Sequence, residues 1–107
     1  MEYKYVIIGA GNGGQSLAGD MVLRGTKVSA IYDKNPAPIR DIQAAGGIEM
    51  SGPVVQGFAP IEHPTESLED AMQQGNVFLV TIVGNFHPDL AREMAPFVRE
   101  TDIILLI

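Results

Sequence analysis

The residues of this chain best placed to do chemistry form a glycine run near the amino terminus, followed further on by a single acidic position. Gly9-Ala10-Gly11-Asn12-Gly13-Gly14 matches the pattern G-x-G-x-x-G, with its glycines at 9, 11 and 14. In a chain with 12 glycines the pattern alone says little, and its setting gives it meaning. The apolar run Tyr5-Val6-Ile7-Ile8 precedes it and has the texture of a strand covered on both faces. From Gln15 to Arg24, the residues Leu17, Ala18, Met21 and Val22 fall on one helical stripe, with Gln15, Asp20 and Arg24 turned outward. A glycine loop between strand and helix can cradle a pyrophosphate. Gly9 permits the tight turn, Gly11 lets the phosphates approach the backbone, and Gly14 lets helix and strand pack closely. Free N–H groups and about half a unit of positive charge at the helix start favour the anion. Ala10, Asn12 and Gly13 complete the run of backbone expected around it.

Asp33 is the acidic partner. It lies 19 residues after Gly14, where the strand-like segment Lys27 to Tyr32 ends. A carboxylate there can accept hydrogen bonds from both hydroxyls of an adenosine ribose and would repel a 2′-phosphate. The adjacent Lys34 softens that repulsion. The expected ligand is a nicotinamide dinucleotide, with NAD favoured over NADP.

The elements that must position these groups follow from the rest of the pattern. Gly25 stands where a left-handed residue would close the first helix. Asn35-Pro36 predicts an N-cap and first residue of a second helix, carrying Ile39 and Ile42 and ending before Gly46-Gly47. Residues 48–59 suggest a small hairpin. Ser67 and Asp70 form a capping box for a short helix with Leu68, Ala71 and Met72, closed near Gly75. Val77 to Val83 is the longest apolar run, and a helix carrying Leu90, Ala91, Met94, Phe97 and Val98 follows, with Pro96 expected to shorten its last turn. Ile103 to Ile107 reads as a final buried strand. Strands alternating with helices predict an α/β fold: a Rossmann-type doubly wound parallel sheet, with the hairpin-like insert after the third strand.

In such sheets ligands lie beyond the carboxyl ends of the strands. That places Ile82, Val83 and Gly84 beside the dinucleotide, with His87 in the loop behind them. His87 has two readings, a cofactor contact on the nicotinamide side or, next to Pro88, a cap on the following helix. His63, before Pro64, reads as a surface residue, and Glu66, Glu69 and Asp70 as a solvated helix start. Met50, Met72 and Met94 read as core. No metal-ligand spacing is present, and no catalytic constellation.

Composition narrows the class. With 46% hydrophobic and 19% charged residues the chain reads as one globular dinucleotide-binding domain over 1–107. Its net charge of −6, with Lys and Arg scattered singly, argues against nucleic acid as a partner. No apolar stretch suits a membrane span. The absence of cysteine fits a cytoplasmic setting. The run at Ile103–Ile107 stops without a turn or polar tail, so the expectation is a fragment of a longer protein. A homodimer through the uncovered end of the sheet is a further hypothesis.

The segment from Tyr5 to Ala18 resembles the start of the octopine/nopaline (opine) dehydrogenases, whose fingerprint is G-x-G-N-G-G followed by a helix with small residues. The likeness continues through Ala30-Ile31-Tyr32-Asp33 and Ile39 to Gln43, and returns from Val77 to Leu90 with a strand, a loop ending in His, and a helix. Between Gly47 and Glu66 it extends only to a small hairpin-like insert. The resemblance implies a nucleotide domain that works with a helical C-terminal domain. Together they would join an amino acid to a 2-oxo acid by NAD(P)H-dependent reduction of the imine, or run the reverse. It also implies a His near the cofactor at position 87. The family's catalytic His and Asp belong to the C-terminal domain and map onto no position here, so the chain alone is expected to be inactive. Two other readings share the architecture. One is a glycerol-3-phosphate or ketopantoate-type reductase, and the other is a non-enzymatic nucleotide-sensing regulatory domain.

Overall fold

The computed structural model describes residues 2–82 and 88–107. Its centre is β1 (Tyr5–Ile8), joined through α1 (Asn12–Leu23) to β2 (Val28–Tyr32). With β5 (Pro64–Thr65), β6 (Val77–Val80) and β7 (Ile103–Leu106), these strands form one sheet in the order β5-β2-β1-β6-β7, parallel throughout. The chain builds outward from β1 to β2 and β5, then returns to place β6 and β7 on the other side. The order therefore reverses between β1 and β6, directly beneath the glycine loop.

The continuous apolar runs are explained by two separate cores. Ile7, Ile31 and Leu79 point to one face, where α1 and α2 (Pro36–Ala45) lie; Val6, Ile8, Phe78 and Val80 point to the other, packed against α3 (Leu68–Gln73) and α4 (Pro88–Met94). Alternate side chains of one strand enter opposite cores, so no position of β1 tolerates polarity. The methionines at 72 and 94 are buried as expected, and Met50 packs partly buried against the first core.

Local stop and start signals act as the sequence predicts. Asn35 Oδ1 accepts the Ala37 N–H at 3.2 Å, with Pro36 opening α2, and Gly46 closes it at φ 78°. Pro96 converts the end of α4 into a 3-10 turn, Ala95–Phe97. Three details differ. Helix α1 begins at Asn12, not Gln15, so Gly13 and Gly14 form part of its first turn. The hairpin, β3 (Gly47–Ser51) with β4 (Gln56–Pro60), precedes the short third strand of the parallel sheet rather than following it. The third strand is only Pro64–Thr65, too short and proline-rich to be read from pattern. Helix α3 closes at Gln74, next to Gly75 as expected, and Gly75 also serves packing: a Cβ there would overlap the Lys4 carbonyl.

The expectation that 103–107 is buried is corrected. Among the described residues strand β7 pairs only with β6, and its side chains are 39–62% exposed. Ile104 and Leu106 border an apolar groove with Ala91, Met94, Ala95 and Val98, and no described residue covers it. An edge strand apolar on both faces lacks a neighbour, not a hydrophobic signal. Among the described residues, no helix is long and apolar enough to cross a membrane.

Candidate functional site

The four motif glycines fall into two pairs. Gly9 adopts φ 116°, and its N–H donates to Tyr32 O at 2.7 Å, turning the chain off β1. A Cβ on Gly9 would stand 2.7 Å from Thr81 Oγ1, and one on Gly14 would run into the Gly9 carbonyl. Both glycines are required by the fold. Gly11 and Gly13 are not. Gly11 has ordinary extended angles (φ −75°, ψ −169°), and no described atom lies within 4 Å of a Cβ added at either position. Among the described residues, the bare backbone here leaves room for a close approach. Gly11 is also the N-cap of α1 and makes no side-chain cap bond, so the leading N–H groups of the helix have no partner of that kind.

Asp33 is brought to this loop, as its spacing predicts. Its Oδ2 accepts the Ala10 N–H at 2.8 Å, its Oδ1 accepts the Asn35 N–H at 2.8 Å, and its own N–H donates to Thr65 O at 3.3 Å. The carboxylate is thereby locked at the lip of the loop. Each oxygen keeps further acceptor capacity, which is what a ribose diol requires. Beside it, Lys34 is exposed. Burial raises the Tyr32 phenol above its usual range, with Glu93 and Asp33 adding to the effect.

Several expected site residues have a different or narrower role. Ala10 is fully buried; its N–H is taken by Asp33 and its carbonyl by Gln15 Nε2 at 2.8 Å. It shapes the loop and offers no free donor. Gln15, expected to face solvent, turns back to make that bond because Ala10 O would otherwise be left without one. Ile82 is half-buried, with its Cγ1 3.4 Å from where a Gly9 Cβ would lie, so it flanks the loop. Asn12 and Gly13 are exposed at the helix start. Val83, Gly84 and His87, expected near the cofactor, lie outside the described residues. Among the described residues no cluster of His, Asp and Glu suits a metal.

Thr81 was not singled out from sequence. Its hydroxyl lies 3.2 Å from both Ile8 O and Gly9 O, propping the turn from below. The available signal was a lone hydroxyl interrupting an apolar run at a strand's carboxyl end. His63, expected on the surface, is half-buried with Nε2 2.6 Å from Asp70 Oδ2. Asp70 therefore faces His63 and does not complete a reciprocal capping box, although its N–H does donate to Ser67 Oγ at 3.1 Å.

With this geometry in place, the relatives are informative. A curated opine dehydrogenase of Arthrobacter sp. (strain 1C) is 30% identical over 102 residues, covering 95% of this chain and 28% of its own length. The chain thus spans about 28% of that relative. Among solved structures, the glycerol-3-phosphate dehydrogenase of Coxiella burnetii superposes with a TM-score of 0.77 at 18% identity, over 98% of this chain and 32% of that one. An octopine dehydrogenase, solved with NADH and L-arginine, gives 0.71 at 21% identity, over 98% and 28%. Both likenesses show the fold and do not decide between the two activities. Residues 4–106 match the family described as NADP oxidoreductase, coenzyme F420-dependent; the chain belongs to that family and is an NAD(P)-binding oxidoreductase domain.

Proposed function

We propose that the chain is the NAD(H)-binding domain of an opine-type dehydrogenase. The observation that carries the binding mode is the division among the glycines. Gly11 and Gly13 have no role in the fold among the described residues, and they border a helix start with Asp33 fastened to the same loop. The N–H groups of residues 11–13 would hold the pyrophosphate, and Asp33 the adenosine ribose. Ile82 would flank the dinucleotide, and we assign Val83, Gly84 and His87 to its nicotinamide side. The cofactor's own contribution is a hydride. This domain binds and orients, and we assign no catalytic residue within it.

The choice of NAD rests on the charge of Asp33, which opposes a 2′-phosphate, although the family's description names NADP. The choice of opine chemistry rests on the identity to the Arthrobacter relative and on Asn12-Gly13-Gly14. The whole protein would then reduce the imine of an amino acid and a 2-oxo acid. A glycerol-3-phosphate-type reductase, which shares this fold, is the second reading. Titration calorimetry tests the cofactor assignment: Asp33→Ala should weaken NADH more than NADPH, and an equal loss for both removes the preference for NAD. The isolated chain should bind NADH without turning over any amino acid and 2-oxo acid pair. Turnover by this chain would show that the chemistry lies within it.

A further inference from the structure

The strand that holds Asp33 has little to hold itself. Strand β5 is two residues long, begins with a proline that lacks an N–H, and lies at the sheet's edge. Besides the ladder pairing of Ile31 with Pro64 and Tyr32 with Thr65, two backbone bonds tie the ends of this segment to β2, Ile31 N–H to His63 O at 3.2 Å and Asp33 N–H to Thr65 O at 3.3 Å. Both are at the long end of the range. Side chains supply the rest. Gln43 Nε2 donates to Pro64 O at 3.1 Å, and the Ser67 N–H donates to Thr65 Oγ1 at 3.1 Å. The shortest contact is His63 Nε2 to Asp70 Oδ2, 2.6 Å. Because a carboxylate only accepts, the ring nitrogen is the donor, in either charge state of the imidazole.

Asp70 is well placed to anchor that contact. It sits in the first turn of α3, its Oδ1 accepts Gln74 Nε2 at 3.0 Å, and its backbone is capped by Ser67. Hydrogen bonding from His63 holds its carboxyl below the usual carboxylate range, with bonds from the Thr65 hydroxyl and Gln74 acting in the same direction against its burial. Thr65 is the only buried polar residue among the described ones, and its carbonyl is the acceptor for the Asp33 N–H. A short path therefore runs from Asp70 of α3 to His63, along the chain to Thr65 and on to Asp33, and from Asp33 Oδ2 to the Ala10 N–H of the glycine loop.

We propose that His63 and Asp70 are positioning residues for the cofactor site, clasping β5 to α3 so that Thr65 fixes Asp33 where the adenosine ribose must bind. The clasp lies outside the glycine motif. This inference rests on the dinucleotide reading for its functional consequence, but the positioning itself is measurable without ligand.

The test uses His63→Ala, the isosteric Asp70→Asn, and His63→Gln, whose amide can restore a donor near the Nε2 position. In the ligand-free chain, amide hydrogen exchange at Asp33 should quicken at least tenfold in His63→Ala and Asp70→Asn. Exchange at Gly9, whose N–H is held by Tyr32 O, should stay the same, and His63→Gln should restore Asp33 protection. Affinity for ADP-ribose should fall five- to tenfold in the first two variants while affinity for reduced nicotinamide mononucleotide, which lacks the adenosine ribose, holds. Unchanged Asp33 exchange in both disrupting variants overturns the clasp. A uniform rise in exchange at Asp33 and Gly9 also overturns it, since that is general loosening. A wild-type chain with normal Asp33 protection that fails to bind ADP-ribose overturns the dinucleotide reading instead, and with it the consequence for affinity.

Discussion

An alanine at Gly14 places a methyl group against the Gly9 carbonyl and 2.7 Å from Thr81 Oγ1, whose hydroxyl is itself bonded to Ile8 O and Gly9 O. Overpacking of this kind costs about 1–3 kcal/mol. In a domain near this size each kcal/mol lowers Tm by roughly 4–8 °C, so a drop on the order of 5–20 °C is expected. An alanine at Gly11 meets no described atom within 4 Å and accepts the existing φ of −75° without strain. A poorer N-cap and a less flexible unfolded chain work in opposite directions there, so stability should change by less than about 1 kcal/mol. Its effect falls on the ligand. A methyl group standing over the leading N–H groups keeps phosphate oxygens beyond the ~2.9 Å that a hydrogen bond needs. Losing one such bond to a charged group costs about 1.5–3 kcal/mol, or roughly 10- to 100-fold in NADH affinity. Scanning calorimetry and NADH titration on the two variants separate these effects. Gly14→Ala should lose stability, and Gly11→Ala should keep its Tm and lose binding. If Gly11→Ala bound NADH like the wild type, the claim that this backbone is left bare for a pyrophosphate would be refuted.

Two further outcomes are expected. The Tyr32 phenol is held above its usual range mainly by burial, so the folded state favours the protonated ring. That contribution is intact below the ordinary tyrosine pKa of about 10 and is lost as pH rises through the higher folded value. Tyr32→Phe should accordingly flatten the alkaline limb of the stability–pH curve measured by urea unfolding, and an unaltered limb would assign it to other groups. At the far side of the sheet, the free edge of β7 should promote association of copies as concentration rises, because unpaired strand edges with apolar side chains template pairing. Leu105, 46% exposed on that edge, is the position to change. Leu105→Lys should move the sedimentation profile toward monomer, and a wild type that stays monomeric at high concentration would refute the association.

What sequence alone determined was local and periodic. Strand, glycine turn and helix are written in consecutive residues from Tyr5 to Val22, and each signal depends only on neighbours within a few positions. Asp33 could be assigned because the strand–helix–strand unit has a nearly fixed length, so 19 residues of separation imply one place in space. Asn35, Pro36 and Pro96 likewise act on their own turns. Tertiary structure decided the partners. The Ala10 amide, expected to face a ligand, is bonded to a carboxylate 23 residues away, and Thr81 reaches a turn more than 70 residues earlier in the chain. Spacing brings Asp33 to the loop and a lone hydroxyl marks Thr81, but neither pattern names the group to which each is bonded. The same holds for His63, whose exposed-looking place before a proline conceals a pairing with Asp70 across the end of β5. The run at 103–107 shows the converse limit. Apolar composition states that a strand is fit to be covered on both faces, but only the arrangement of neighbouring elements determines whether anything covers it.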